Sequence, residues 1–198
     1  NNVAVGFESG KVLTTGVQNT LLGYRSGFDL NEGGRNTAVG YLAFGGALDA
    51  NGDESFDNTF VGTGAGSGAW VTAVSNKNTA VGSQTMIGAM NGALNNTAVG
   101  YGALTALTTG DNNVAIGKST AVALTTGDSN ITIGTNTLGI ATSAEDVVLI
   151  GASAGYAINN DAADGTVAVG RSALAALTTG AGNVAIGYTA MNDVVEGA

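Results

Sequence analysis

The side chains with the clearest chemical potential lie between positions 49 and 57, where residues with ligand oxygens occupy alternate places. They are Asp49, Asn51, Asp53, Ser55 and Asp57. This spacing is how a short loop wraps oxygen ligands around calcium. However, the glycine falls at the fourth place rather than the sixth, and the twelfth place of an EF-hand-like loop would be Phe60. The stretch therefore has two interpretations, a calcium site or a solvated acidic loop, and no other cofactor is expected.

Few side chains suited to catalysis are present, because the sequence contains no histidine and no cysteine. Acid–base work near neutral pH would fall to carboxylates such as Glu54 and Asp57, or Glu145 and Asp146. These residues lie in predicted loops and in no recognisable cleft motif. Tailspike-like glycosidases also use carboxylates on β-solenoids, so a polysaccharide-degrading enzyme stays as an alternative. We expect that the protein is not an enzyme.

Aromatic residues recur at one position, directly after a repeated glycine. They are Phe7, Tyr24, Tyr41, Tyr101 and Tyr188. Such rings could form a surface for sugars, or they could pack over a corner or between chains. Trp70 stands apart, in a glycine-rich stretch that lengthens the repeat. It is either the tip of a binding loop or a plug that covers the repeat structure.

A short phrase organises the whole chain: Asn113 to Gly117 reads Asn-Val-Ala-Ile-Gly and returns from one end to the other. Its glycines lie at positions 6, 23, 40, 62, 82, 100, 117, 134, 151, 170 and 187, mostly 17 residues apart. A fixed period of this kind is typical of a solenoid, in which each repeat buries its faces by stacking on its neighbours. We therefore predict an all-β parallel solenoid of eleven coils, about 50 Å long at the strand spacing of about 4.8 Å.

The residues around each glycine predict a strand that is apolar on both faces. The residue before the glycine is always aliphatic and mostly β-branched, and the residue before that is usually alanine. Since neighbouring side chains point to opposite faces, we expect one face to fill the chain's interior and the other to meet a partner. The predicted partner face comprises Ala4, Leu21, Ala38, Phe60, Ala80, Ala98, Ala115, Leu149, Ala168 and Ala185. Val99, Ile116 and their equivalents are then predicted to lie inside.

Other positions of the repeat carry structural predictions. The leading asparagines should stack as a hydrogen-bonded ladder, and the glycine should adopt a positive φ. A second apolar segment, such as 103–107, could be a bent strand or a helical turn. In several coils this segment ends with Thr-Thr-Gly. Because arrays of threonines can bind ice, these residues raise ice binding as a further possible function. Adjacent threonines face opposite sides of a strand, however, and cannot share one flat row.

Composition excludes several classes of partner. The formal charge of −9 repels phosphate backbones and anionic lipids, and the six cations form no cluster, so no nucleic acid is expected. No apolar run approaches the roughly 18 residues of a membrane span, so no membrane insertion is expected. The absence of cysteine is compatible with an extracellular location.

The phrase Asn-x-Ala-[Val/Ile]-Gly-x-x-[Ser/Ala/Thr] resembles the head repeat of YadA-like trimeric autotransporter adhesins. The 17-residue form with Tyr-x-Ala-Leu and Thr-Thr-Gly is similar to repeats in phage tail fibres and related surface fibres. The resemblance implies a left-handed β-roll assembled as a homotrimer, with receptor or matrix binding as its role and no catalytic residues. The coil is longer than that of the adhesin heads, which favours a phage or secreted fibre over a bacterial autotransporter head.

These observations together predict one repeat domain, residues 1–198, that is a fragment of a longer fibre on a virion or cell surface. Its partners are expected to be two further copies of the chain and a cell-surface receptor or glycan. Glutamate at Ala98 or Ala115 should dissociate or unfold the rod. Changes at Asp111 or Asp128, in the polar turn after Thr-Thr-Gly, should be nearly silent.

Overall fold

The computed structural model describes residues 1–46, 54–70, 73–159 and 163–197. Its regular elements are eleven three-residue strands that form one parallel sheet, ordered as in the chain. The strands are β1 Val3–Val5, β2 Thr20–Leu22, β3 Thr37–Val39, β4 Thr59–Val61, β5 Thr79–Val81, β6 Thr97–Val99, β7 Val114–Ile116, β8 Ile131–Ile133, β9 Val148–Ile150, β10 Val167–Val169 and β11 Val184–Ile186. The described residues contain no α-helix, and the predicted all-β parallel solenoid is confirmed.

Each strand pairs with the same motif positions in the next coil. In β6 and β7, for example, Ala98 lies opposite Ala115 and Val99 opposite Ile116. Because the register never slips, every motif position forms a straight column along the rod. This columnar arrangement determines which side chains share a surface.

The second segment of each coil is neither a strand nor a helical turn, the two alternatives that the sequence left open. It consists of consecutive tight turns, with left-handed backbone at non-glycine residues such as Leu104, whose φ is 49°. The Leu104 N–H donates to the Thr120 carbonyl of the next coil at 3.2 Å. Turn bonds within the segment, such as that from the Leu107 N–H to the Leu104 carbonyl at 3.3 Å, act together with the bonds between coils to hold this wall.

The glycine after each strand adopts the predicted positive φ, which lies between 127° and 139° at all eleven positions. A side chain there would also collide with the next coil. A Cβ added to Gly117 would lie 2.4 Å from the carbonyl oxygen of Gly134. Glycine is therefore required both by the backbone angle and by the close stacking of coils.

The assignment of strand faces made from the sequence was wrong. The side chains predicted to meet a partner are buried inside the chain itself: Leu21, Ala38, Phe60, Ala80, Ala98, Ala115, Leu149, Ala168 and Ala185. Ala4 is exposed in β1, the first strand of the sheet. Conversely, Ile116 is 38% exposed, and Val99 is only half-buried.

The physical reason for this reversal lies on the opposite wall of the coil. Leucines from the turn segment, such as Leu104, Leu107 and Leu124, are completely buried and fill the interior. Little space is left across from them, so the strand contributes small alanines to the core. The larger β-branched side chains of the strand therefore point outward.

Trp70 plugs the interior of one of the longer coils. It is fully buried, its Nε1 donates to the Gly66 carbonyl at 3.1 Å, and its ring centroid lies 4.7 Å from that of Phe44 and 5.5 Å from that of Phe60. Of the two alternatives for Trp70, the structure supports a core plug rather than an exposed loop tip.

Candidate interaction surfaces

The outer face of the parallel sheet presents two columns of side chains, neither of which contains a charged residue. One column contains the last residue of each strand, always valine, isoleucine or leucine, and the other contains the first residue of each strand. All of these positions are exposed or half-buried. The result is a continuous apolar strip along the rod.

The first-residue column changes character halfway along. It is threonine from β2 to β6, ending with Thr97, and becomes valine or isoleucine from Val114 in β7 to Val184 in β11. The β2–β6 half of the strip is therefore partly polar, whereas the β7–β11 half is apolar in both columns. Apolar surface on this scale commonly marks an interaction site.

An asparagine ladder fixes the coils that carry this strip, as the sequence predicted. The Asn113 backbone N–H donates to Asn96 Oδ1 at 2.9 Å, and Asn96 Nδ2 donates to the Gly110 carbonyl at 2.8 Å. The same backbone-to-side-chain bond, at 2.8 to 3.0 Å, links consecutive asparagines from Asn2 to Asn130. Each asparagine thus joins one coil to the next and also ties down a turn.

The ladder is interrupted where the next two coils carry Val147 and Thr166 in place of asparagine. Thr166 is fully buried, and its Oγ1 makes no hydrogen bond among the described residues. A buried hydroxyl without a partner is a local cost in stability. The ladder of asparagine side chains therefore ends at Asn130, whose Oδ1 accepts from the Val147 N–H at 3.2 Å.

A second surface lies beside the strip, where three aromatic rings from successive coils stack face to face. The ring centroids of Phe7 and Tyr24 are 5.5 Å apart with planes 12° apart, and those of Tyr24 and Tyr41 are 5.1 Å apart with planes 8° apart. All three rings remain exposed. Tyr101 and Tyr188 occupy the same column further along and are also exposed.

Charged groups flank this aromatic stack. Glu8 accepts from Lys11 Nζ at 2.8 Å and from Arg25 Nε at 2.7 Å, and the Arg25 guanidinium lies 4.7 Å from the centroid of the Phe28 ring. The hydrogen bonds from Lys11, and then those from Arg25, hold the pKa of Glu8 below its usual value. Partial burial instead raises the pKa of Asp29.

The calcium candidate is split between described and undescribed positions. Asp49, Asn51 and Asp53 lie outside the described residues. Ser55 is buried, and its Oγ accepts from the Ser75 N–H at 3.1 Å; Asp57 forms a two-point ion pair with Arg35 at 2.6 and 2.9 Å. Within the described ranges, no cluster of three or more acidic residues could hold a metal ion.

The acidic residues of the polar turns bond to backbone, contrary to the expectation that they would be dispensable. Asp111 Oδ1 accepts from the Leu94 N–H at 2.6 Å, and Asp128 Oδ1 accepts from the Asp111 N–H at 2.6 Å. Asp111 and Asp128 therefore form a short carboxylate ladder between coils. Changes at either residue are expected to lower stability rather than to be silent.

Comparisons with known proteins place no further limit on function. Searches of protein-family models, curated proteins and solved structures each find no match. In the part of the chain that the structure describes, no helix is long and apolar enough to cross a membrane.

Sequence analysis missed the outward aliphatic columns as the candidate interaction surface. The sequence did contain a clue, because the larger aliphatic residues of each strand occupy the outward positions, and alanine offers less apolar surface to a partner. The leucines of the turn segment were the other clue, because their combined volume limits what the opposite strand can bury.

Proposed function

We propose that the protein is a structural and adhesive segment of a homotrimeric fibre, displayed on a virion as part of a tail fibre or on a cell surface. In this proposal three left-handed rolls pack through their outer sheet faces. The observation that carries it is the uncharged apolar strip along the full length of the sheet. Ile116, Ile131 and Ile150, for example, are all exposed on it.

The strip favours a second copy of the chain as its partner over an unrelated protein. Its side chains repeat at the coil spacing, and a second copy offers the same repeat with the same apolar chemistry. A net charge of −9 opposes close approach of copies, but the outward strand positions contribute none of it. Apolar contact at an uncharged face can therefore outweigh the repulsion. The number three comes from the resemblance to trimeric adhesins and fibres.

The adhesive role is supported by the same resemblance and by a sequence without histidine or cysteine, whose candidate carboxylates belong to no recognisable cleft motif. Its expected ligand is a cell-surface receptor or glycan. A bacterial autotransporter head is the alternative setting for the same architecture, and a tailspike-like polysaccharide-degrading enzyme is the alternative activity.

A second candidate function, ice binding, uses the same strip. Outward threonines in β2–β6 stand beside aliphatic residues at regular spacing, as in Thr97 and Val99. The strip loses its threonines from β7 onward, and Thr108 and Thr125 of the turn wall donate their hydroxyls to carbonyls of the next coil at 3.0 and 2.9 Å. These features favour self-association over ice binding.

Three assays on the purified chain distinguish an attachment fibre, a polysaccharide-degrading enzyme and an ice-binding protein. An attachment fibre should bind bacterial or animal cells in a sedimentation assay, should release no reducing ends from a polysaccharide panel, and should show no thermal hysteresis. Release of reducing sugar would support the enzyme, and thermal hysteresis without self-association would support ice binding. Binding to no cell type in the set would contradict the adhesive role.

A further inference from the structure

We infer that the exposed face of Tyr41, at the end of the Phe7–Tyr24–Tyr41 stack, is a binding site for a neutral glycan. This inference rests on the proposed attachment role and specifies its ligand and location. The two tyrosines of the stack differ in exposure: Tyr24, between two rings, is 38% exposed, whereas Tyr41 is 53% exposed. The difference arises because only one face of Tyr41 is covered by a ring.

The coil that follows Tyr41 leaves its second face accessible. The Gly64 N–H donates to the Tyr41 carbonyl at 2.9 Å, which places Thr63 and Gly64 directly beside Tyr41. Thr63, the next residue in the tyrosine column, is itself exposed and much smaller than a tyrosine. The tyrosine of this column is thus followed by a small residue, Thr63, in the next coil.

The next aromatic residue in the column is Tyr101, three coils beyond Tyr41. Thr63 and Ser83 occupy the two positions between them. At about 4.8 Å per coil, the two tyrosines stand about 14 Å apart along the rod. A shallow surface of this length, with an aromatic side chain at each end, matches two or three sugar rings placed along the axis.

The chemistry of the surface fits a sugar better than a peptide or an aliphatic ligand. One face of a pyranose carries C–H groups that pack on an aromatic ring, while its hydroxyls need hydrogen-bonding groups at the rim. In the coils between the two tyrosines, the exposed Thr63 hydroxyl and the amide of Gln84, whose Oε1 accepts from the Tyr101 hydroxyl at 3.5 Å, supply such groups. The stack also holds the tyrosine rings in place before binding, which lowers the entropy lost on binding.

Charge directs the choice toward a neutral glycan. Arg25 and Lys11 are already paired with Glu8, and both cations also attract the Asp29 carboxylate. The net charge of this group is close to zero, and the chain as a whole is strongly acidic. A polyanionic sugar would therefore be repelled, whereas a neutral one would not.

The test is affinity electrophoresis of the folded chain in gels that contain dextran, laminarin, galactomannan, alginate or hyaluronan. We expect at least one of the three neutral polysaccharides to retard the wild type. Tyr41→Ala should weaken that retardation at least tenfold, and Tyr41→Phe should largely preserve it because the ring remains. Tyr188→Ala is the matched control, since Tyr188 occupies the same column, is 72% exposed and should leave binding unchanged.

Equal melting temperatures of the variants would show that the loss is local. Retardation by alginate or hyaluronan alone, equal losses in Tyr41→Ala and Tyr188→Ala, or no retardation by any gel would overturn the glycan site. The attachment role fails separately: a chain that binds cells with and without Tyr41 keeps that role and loses only the site.

Discussion

At the scale of single residues, the stability of the coil depends on buried amides that reach from one repeat to the next. Asn96 is fully buried, accepts from the backbone of Asn113, and donates to the carbonyl of Gly110. Removing this side chain leaves a backbone N–H and a carbonyl without partners inside the protein. The asparagine is therefore the residue of the phrase that substitution should affect most, after the glycine.

Asn96→Ala is expected to lower the free energy of unfolding by about 2–4 kcal/mol, because two buried backbone groups lose their partners. Asn183→Ala is the matched control at the same motif position in β11's coil. Asn183 is half-buried, and among the described residues its amide donates to the Gly180 carbonyl alone, so its replacement should cost about 1 kcal/mol. Chemical denaturation of both variants checks the difference, and equal costs would mean that the ladder contributes little.

The interrupted part of the ladder makes the opposite prediction. Thr166→Val should raise the free energy of unfolding by about 1 kcal/mol, because it removes a buried hydroxyl that makes no hydrogen bond to any residue that the structure describes. Thr137→Val should lower it by a similar amount, because the Thr137 hydroxyl donates to the Gly151 carbonyl at 2.9 Å. Thermal melts of the two variants should shift in opposite directions; a shift in the same direction would contradict the assignment.

The ion pairs beside the aromatic stack predict a pH dependence. Since the pKa of Glu8 is lowered in the folded chain, its stabilising contribution is present above the ordinary carboxyl pKa and is lost as the pH falls through the folded value. Carboxyl-carbon NMR titration should find this pKa below the usual range in the wild type and close to it in Lys11→Ala/Arg25→Ala. An unchanged pKa in the double variant would show that the pairs do not persist in solution.

At the scale of elements, the two faces of each strand have different roles. Ala115 is fully buried against the turn-segment leucines, whereas Ile116 beside it is 38% exposed on the outer strip. Neighbouring residues of one strand therefore offer a matched pair of substitutions for testing which face is the core.

Ala115→Glu should unfold the coil, because an unpaired carboxylate in the core costs about 3–5 kcal/mol. Ile116→Glu should leave the strand signal in far-UV circular dichroism unchanged, because its side chain faces outward. The measurement is the spectrum and melting temperature of each variant. Loss of structure in Ile116→Glu with retention in Ala115→Glu would mean that the outer and inner faces are reversed.

The repeat period and the β-branched residue before each glycine were enough to predict the strands and their order, because these signals are local. Alternation along the strand could not predict which of its two faces is buried, since both faces are apolar. The buried face is determined by the leucines on the opposite wall of the coil. Trp70 shows the same limit, because its burial depends on contacts with Phe44 and Phe60 from other coils. The stacking of Tyr24 on Tyr41 follows from the period once the register is known.

At the scale of the whole molecule, a rod built from stacked coils has a continuous outer sheet face that a single chain leaves open. The apolar strip runs from Val5 to Ile186 without a charged residue on the outward strand positions. Association of copies side by side would cover this strip and leave the Tyr41 surface and the polar turns for other partners. Assembly of the fibre therefore depends on this strip as the surface where copies of the chain meet.

Sedimentation equilibrium tests that claim most directly. The wild type should sediment at three times the 19.3 kDa of one chain. The double variant Ile116→Glu/Ile133→Glu, with carboxylates on the strip, should sediment as a folded monomer, whereas Lys118→Glu/Thr135→Glu, two positions further along the same coils, should remain a trimer. A wild type that sediments at 19.3 kDa, or a trimer that survives both strip glutamates, would contradict the account.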